Sequence, residues 1–226
     1  MNLQETEIEK LSHTLKHYIA EKTCDALSIL LKEPIQYKLT ILDNSTHTKN
    51  IHSSSRQIKL CSVRLNGKGD LHIELLYTTT CQDALKIASM LLGTEVDKID
   101  EMGESALQEV ANILTGSFFN ALSVDTGYRV DLSTPTFKEG ELEELLSDPT
   151  KDVKSTVYDS IIADVLLTGK NSNTKIHMII IQHPDHAKKL ILCEEKNSEE
   201  NIYENISNTN LLGGKNDAIE DLLKNI

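Results

Sequence analysis

Between residues 3 and 32 the apolar positions Ile8, Leu11, Leu15, Ile19, Ala26, Leu30 and Leu31 recur at near-helical spacing, which predicts one long amphipathic helix. Pro34 stops it, because a proline cannot extend the hydrogen-bond ladder. Short strand-like runs follow at 35–42, 57–65 and 71–77, and "LNGKGDL" between the last two carries hairpin-turn chemistry. A further helix is predicted over 81–93, "CQDALKIASMLLG", with Gly93 as its C-terminal cap. The same succession then returns. A long helix is expected over 98–122 and a strand over 127–133, followed by the acidic insertion "KEGELEELLSD". Strands over 156–168 and 174–182 flank "TGKNSNT", and a short segment over 184–193 closes the unit.

The repetition extends to residues. Ala26-Leu27-Ser28 matches Ala121-Leu122-Ser123, 95 positions on, and Gly67-Lys68 matches Gly169-Lys170, 102 positions on, with the acidic insertion absorbing the difference. Each half alone is small for stability, so the two are expected to share one core. The predicted fold class is α+β, a pseudo-twofold repeat of helix, strands and helix with the long helices packed on an antiparallel sheet. One domain is expected over 1–195, made of halves 1–94 and 95–195. Residues 196–226, rich in Asn, Ser and Glu, read as a solvated tail, with Ile219, Leu222, Leu223 and Ile226 as a short amphipathic segment able to dock on a partner.

Composition narrows the function classes. Asp and Glu number 35 against 23 Lys and Arg, a formal net charge of -12, which disfavours nucleic acid or an anionic membrane as a general partner. No apolar run approaches the roughly 18 residues a bilayer span needs. The polar N-terminus does not resemble a signal peptide, so a cytoplasmic protein is expected. Cysteines 24, 61, 81 and 193 show no C-x-x-C pair and read as reduced, mostly buried thiols. Trp is absent, so aromatic stacking platforms are poorly supplied.

The candidate chemistry lies in "GESALQEVANILTGSFFNALS", residues 103–123. Ser105, Glu109, Asn112 and Gly116 fall within about 60° of one another on a helix. Ile99, Met102, Ala106, Val110, Ile113 and Ala121 are expected to form the apolar face, leaving the stripe to solvent or to a partner. Gly116 costs about 1 kcal/mol in an exposed helix relative to Ala, and close approach by another backbone would explain it. A Glu-x-x-Asn pair alone is weak, since Glu194 and Asn197 make another.

The wider pattern is more specific. Ser105, Glu109 and Asn112 on one helix, then Gly116, Ala121-Leu122-Ser123 and a later Pro135, resemble the CheC/CheX/FliY family of chemotaxis phosphatases over about residues 5–193. The resemblance implies the repeated α/β architecture and hydrolysis of a phospho-aspartate on a phosphorylated CheY-like response regulator. Asn112 would position the water, and Glu109 would pair with the regulator's lysine. Ser105, Gly116 and Pro135 would support them. The chain would carry no cofactor of its own, any Mg²⁺ belonging to the regulator's acidic pocket, and would act as a monomer or homodimer. Shifting back 95 positions meets Lys10, Thr14 and His17, with Thr40 at the place of Pro135. The first half therefore lacks the signature, and in site count the chain is nearer CheX. The alternative is a non-catalytic regulator-binding or flagellar-switch module on the same scaffold.

Other constellations carry less. His177, His183 and His186 would need further ligands to hold a metal. "GKG" at 67–69 lacks the rest of a P-loop, and the acidic run 139–144 reads as a solvated helix or loop.

Overall fold

The computed structural model describes residues 3–42, 58–146 and 160–192. The chain opens with α1 (Glu5–Tyr18), started by a reciprocal cap in which the Gln4 N–H donates to Glu7 Oε2 at 2.8 Å. The predicted single helix is interrupted by a π turn at Ile19–Thr23, and α2 (Cys24–Leu31) completes it. β1 (Ile35–Leu42), β2 (Leu60–Gly69), β3 (Ile73–Thr80) and α3 (Cys81–Leu92) follow. The second half consists of α4 (Glu101–Thr126), β4 (Val130–Leu132), β5 (Thr136–Gly140), α5 (Leu142–Leu146), β6 (Ile161–Gly169), β7 (Lys175–Gln182) and α6 over 184–192.

All strand pairs are antiparallel, in the order β1-β6-β7-β3-β2-β4, with β5 also on β2. The order reads the same from both ends. The β2–β3 and β6–β7 hairpins meet at the centre through β3 and β7, and each edge strand pairs with the hairpin of the other half. The pseudo-twofold architecture inferred from the repeat is therefore present as an exchange of edges. Helices α1, α2, α3, α4 and α6 share one face of the sheet around Leu11, Leu15, Phe118, Leu75 and Leu190, all essentially inaccessible to solvent.

The opposite face corrects one expectation. "KEGELEELLSD" is neither a mere insertion nor fully solvated. Lys138, Glu139 and Gly140 end β5, an edge strand that the pattern did not reveal. Leu142, Leu145 and Leu146 of α5 then bury themselves against Leu60, Leu76, Ile162 and Ile179, a second, smaller core on the back of the sheet. The acidic side chains of Glu141, Glu143 and Glu144 remain outward.

The π turn corrects a second. It adds one residue to the first-half helix, so the correspondence of halves shifts from 95 to 96 positions before it. Burial follows that shift. Leu11, Thr14, Leu15 and Tyr18 match buried Leu107, Val110, Ala111 and Leu114, whereas beyond the turn Leu27 matches Leu122. Thr14 is thus a core residue, its hydroxyl donating to the Lys10 carbonyl at 3.0 Å, and the true counterparts of Ser105, Glu109 and Asn112 are the exposed Glu9, His13 and Lys16. A wide turn leaves a carbonyl without its regular partner. The Ser117 hydroxyl of α4 donates to the carbonyl of Lys22 at 3.0 Å, joining the two long helices there.

Other boundaries move modestly. β2 runs on to Gly69 and β3 begins at Ile73, so the turn is narrower than "LNGKGDL" suggested. The strand expected over 127–133 is the short β4, and the start of the one expected over 156–168 lies outside the described residues, as do Cys193, Glu194, Asn197 and the tail. Among the described residues no helix is long and apolar enough to cross a membrane.

Candidate functional site

α4 is a 26-residue helix fixed at both ends. Asp100 caps its start, accepting the N–H groups of Met102 and Gly103, each at 3.1 Å. Gly127, at φ 69°, ends it in the left-handed conformation that a side chain disfavours, its N–H donating to the Ser123 carbonyl at 2.9 Å. Leu107, Val110, Ala111, Leu114, Phe118 and Leu122 are buried against the sheet. Ser105, Glu109 and Asn112 lie opposite them, exposed on successive turns.

The expected apolar face borders this buried sector and is not centred on it. Val110 is buried, Ala106, Ile113 and Ala121 are half-buried, Ile99 precedes the helix, and Met102 is 63 % exposed. The stripe remains outward, because the true core face is more nearly opposite to it than the expected one.

Among the described residues neither Glu109 nor Asn112 engages a hydrogen-bonding or ionic neighbour, so a carboxylate and a carboxamide stand available three residues apart. Ser105 differs: its hydroxyl donates to the Glu101 carbonyl at 2.7 Å, leaving its oxygen as an acceptor. At Gly116 a Cβ would meet nothing within 4 Å. Among the described residues no other backbone approaches there, so the close packing that a glycine suggested is not found within them. The glycine leaves a notch on the outer surface, one turn beyond Asn112.

Pro135 sits where the edge strand leaves β2 and returns. Ser133 is the last residue held before the break, its N–H donating to the Asn66 carbonyl at 2.8 Å, and pairing resumes at Thr136. Proline has no N–H for the ladder, which suits it to this gap. Gln108, adjacent to Glu109, reaches across to donate from Nε2 to the Pro135 carbonyl at 3.1 Å. This tie was not foreseen, and no spacing in the sequence announces it. The corresponding edge strand of the first half, β1, runs unbroken along β6 through Lys38 and Thr40.

Behind the stripe, Tyr77 and Thr115 share a buried hydroxyl–hydroxyl bond of 2.9 Å, and burial pushes the Tyr77 phenol up from its ordinary value. A cavity of about 30 Å³ nearby, lined by Val63, Leu107 and Val110 among others, has room for a water or two. Neither Glu109 nor Asn112 lines it.

The histidines do not converge. His177 Nδ1 pairs with Asp164 Oδ1 at 2.9 Å across β6 and β7, His183 Nδ1 lies 3.3 Å from Asp185, and His186 Nδ1 accepts the His72 N–H at 3.3 Å. Burial lowers the pKa of His186, with Lys189, His72 and His183 adding to it. Gly67-Lys68-Gly69, expected to form the hairpin turn, is instead the end of β2, paired with β4, and the turn begins only at Asp70. Burial also pushes the Cys24 thiol up to about 11 and raises Cys61, to which Cys81 contributes, so both are neutral thiols near neutral pH.

A family model for CheC-like proteins matches residues 102–139, a segment that contains Ser105, Glu109, Asn112, Gly116 and Pro135. The CheY-P phosphatase CheC of Bacillus subtilis (strain 168) is 24% identical over 143 residues, covering 60% of this chain and 68% of that protein. The fold is shared with FliY of Thermotoga maritima, at a TM-score of 0.66 and 18% identity over 87% of this chain and 100% of that one. CheX of Vibrio vulnificus shares it at 0.54 and 16% identity, over 74% and 97%. With the helix signature inside the matched segment and this sheet beneath it, the chain is similar to the CheC/CheX/FliY proteins in that segment and in its fold.

Proposed function

We propose that the protein is a cytoplasmic phosphatase for the phospho-aspartate of a CheY-like response regulator, with α4 as the wedge that enters the regulator's active site. The observation that carries this reading is the exposed pair Glu109 and Asn112, on one line of a rigid helix whose opposite face is the core. The name of the Bacillus subtilis relative supports the substrate class.

The chemistry suits the two groups. Water must attack phosphorus in line with the aspartate oxygen; the P–O bond to aspartate then breaks, and inorganic phosphate leaves. Holding that water is the main requirement, and an amide can both donate to it and accept from it without bringing a charge that repels phosphate. Asn112 has that role. Glu109 next to a phosphoryl group is unfavourable unless it meets a cation, and the regulator's active-site lysine supplies one. Mg²⁺ stays with the regulator. The notch at Gly116 admits the regulator's backbone, Ser105 offers an acceptor at the other end of the stripe, and Pro135 stiffens the adjoining edge.

The alternative, a module that docks the regulator or a flagellar-switch component without hydrolysis, draws on the first half, where the same scaffold carries Glu9, His13 and Lys16 instead. Radiolabelled phosphate loss from CheY-like regulators separates the two. Wild-type protein should accelerate it, and Asn112→Ala should lower the acceleration by about a hundredfold, the scale of one lost transition-state contact. Binding to the beryllofluoride-loaded regulator should survive in Asn112→Ala and weaken in Glu109→Ala. Wild-type binding without faster phosphate loss would leave the docking module in place of the enzyme.

A further inference from the structure

Beside the stripe's supporting strand, three elements bring together groups that lie 20 and 78 positions apart in sequence. Cys61 is the second residue of β2 and is 1% exposed. Glu139, near the end of β5, is its register partner across the ladder. Cys81 opens α3, immediately after the Thr80 cap.

The distances have a chemical meaning. Cys61 Sγ lies 3.8 Å from Cys81 Sγ and 3.7 Å from Glu139 Oε1, and all three ligand atoms fall within 4.8 Å of one another. Two thiolates each bound to zinc at about 2.3 Å on a tetrahedron stand about 3.8 Å apart, and a thiolate and a carboxylate oxygen slightly closer. The carbonyl oxygen of Lys59, 3.4 Å from Cys81 Sγ, offers a fourth donor. The ammonium of Lys59 holds the other oxygen of Glu139 at 2.5 Å, which leaves Oε1 turned toward Cys61. Two thiolates, the carboxylate, this ammonium and a divalent ion together would be neutral, which suits a partly buried place.

We infer that Cys61, Cys81 and Glu139 form a binding site for a thiophilic divalent cation of the zinc class. Two sulfur donors select against Mg²⁺ and Ca²⁺, which prefer oxygen. The ion would pin β5, and with it the segment entering from Pro135, to β2 and to the start of α3. Lys59 acts as a positioning residue that orients the carboxylate.

Co²⁺ added anaerobically to the reduced full chain tests this. The expected result is a saturable one-to-one complex with a sulfur-to-cobalt charge-transfer band and the intense visible bands of tetrahedral Co²⁺, displaced by Zn²⁺. Cys61→Ser and Cys81→Ser should each abolish the charge-transfer band or halve it with loss of tetrahedral intensity, and Glu139→Gln should weaken binding at least about tenfold. Serine is tolerated at a helix start, and metal-free melting of Cys81→Ser at the wild-type temperature shows that the variant folds. Zn²⁺ should also protect two thiols from alkylation, identified by mass spectrometry as Cys61 and Cys81. A six-coordinate Co²⁺ spectrum without charge transfer, bands that survive in the Cys61→Ser/Cys81→Ser double variant, or no thiol protection would overturn the site.

Discussion

At the residue scale the proposed chemistry depends on how firmly the neighbours of Glu109 and Asn112 are held. Gln108 is half-buried between them and the edge strand, and its bond to the Pro135 carbonyl fixes the gap between β4 and β5. Replacing Gln108 by Ala removes one neutral hydrogen bond, worth about 1 kcal/mol, and frees Pro135 relative to the stripe. If all of that loss falls on the geometry of the transition state, phosphate release slows about fivefold. Release kinetics and thermal melting on the same preparation check this. Slower release with stability within about 1 kcal/mol of wild type supports a positioning role, whereas lower stability with unchanged release makes Gln108 part of the scaffold alone. The exposed members of the stripe were legible because spacing on a regular helix sets direction. Gln108 was not, since its partner lies 27 positions away, across a break that only tertiary structure defines. The same holds for Cys61, Cys81 and Glu139, whose meeting depends on strand register.

Element by element, the sequence pattern succeeded where periodicity was long and failed where local geometry departed from it. α4 and the two central hairpins were legible within a few residues. The π turn was not, because one extra residue in a helix leaves no signature in an apolar pattern that stays amphipathic on both sides. It nevertheless decides which first-half residues face outward, and it moves the comparison from Thr14 and His17 to His13 and Lys16. α5 shows the converse failure. Its leucines at 142, 145 and 146 are spaced for a one-turn helix, but the surrounding glutamates dominate the composition. Because these leucines close the back of the sheet, Leu145→Ala should cost about 2 kcal/mol, at the low end for a buried leucine since one side of this small core lies near the surface. Arg64 Nη2 also donates to the Leu145 carbonyl, so α5 is tied by backbone as well as side chain. Denaturant unfolding measures the cost. A loss below about 0.5 kcal/mol would mean that α5 rests on the sheet without supporting it.

For the whole molecule, the exchange of edge strands makes each half depend on the other. β1 is held by β6, and β4 and β5 by β2, so neither half completes its sheet alone. The loops repeat this logic. Asp70, in the β2–β3 turn, accepts the Arg129 N–H at 2.8 Å in the loop after α4. Glu33, in the loop after α2, accepts the N–H groups of Asn171 and Ser172 at 2.6 and 2.9 Å and the Ser172 hydroxyl, holding the β6–β7 turn. Its burial alone would raise its pKa, but the bonds from Ser172 and Asn171 outweigh that and hold the carboxyl below its ordinary 4.5. A folded value below the unfolded one means that the unfolded chain takes up the proton first as pH falls. The stabilisation by Glu33 is therefore complete above about pH 4.5. It declines as the pH drops toward the folded value, and is gone below it. Hydrogen bonds to a charged acceptor are worth roughly 2 kcal/mol, so Glu33→Gln should lower stability by about that amount near neutral pH and by progressively less in acid. The difference between the two unfolding free energies, followed by circular dichroism from pH 7 down to pH 3, is the quantity to measure. It should shrink with falling pH, and a gap that stays constant across the range would show that the carboxylate's charge contributes nothing to holding the turn.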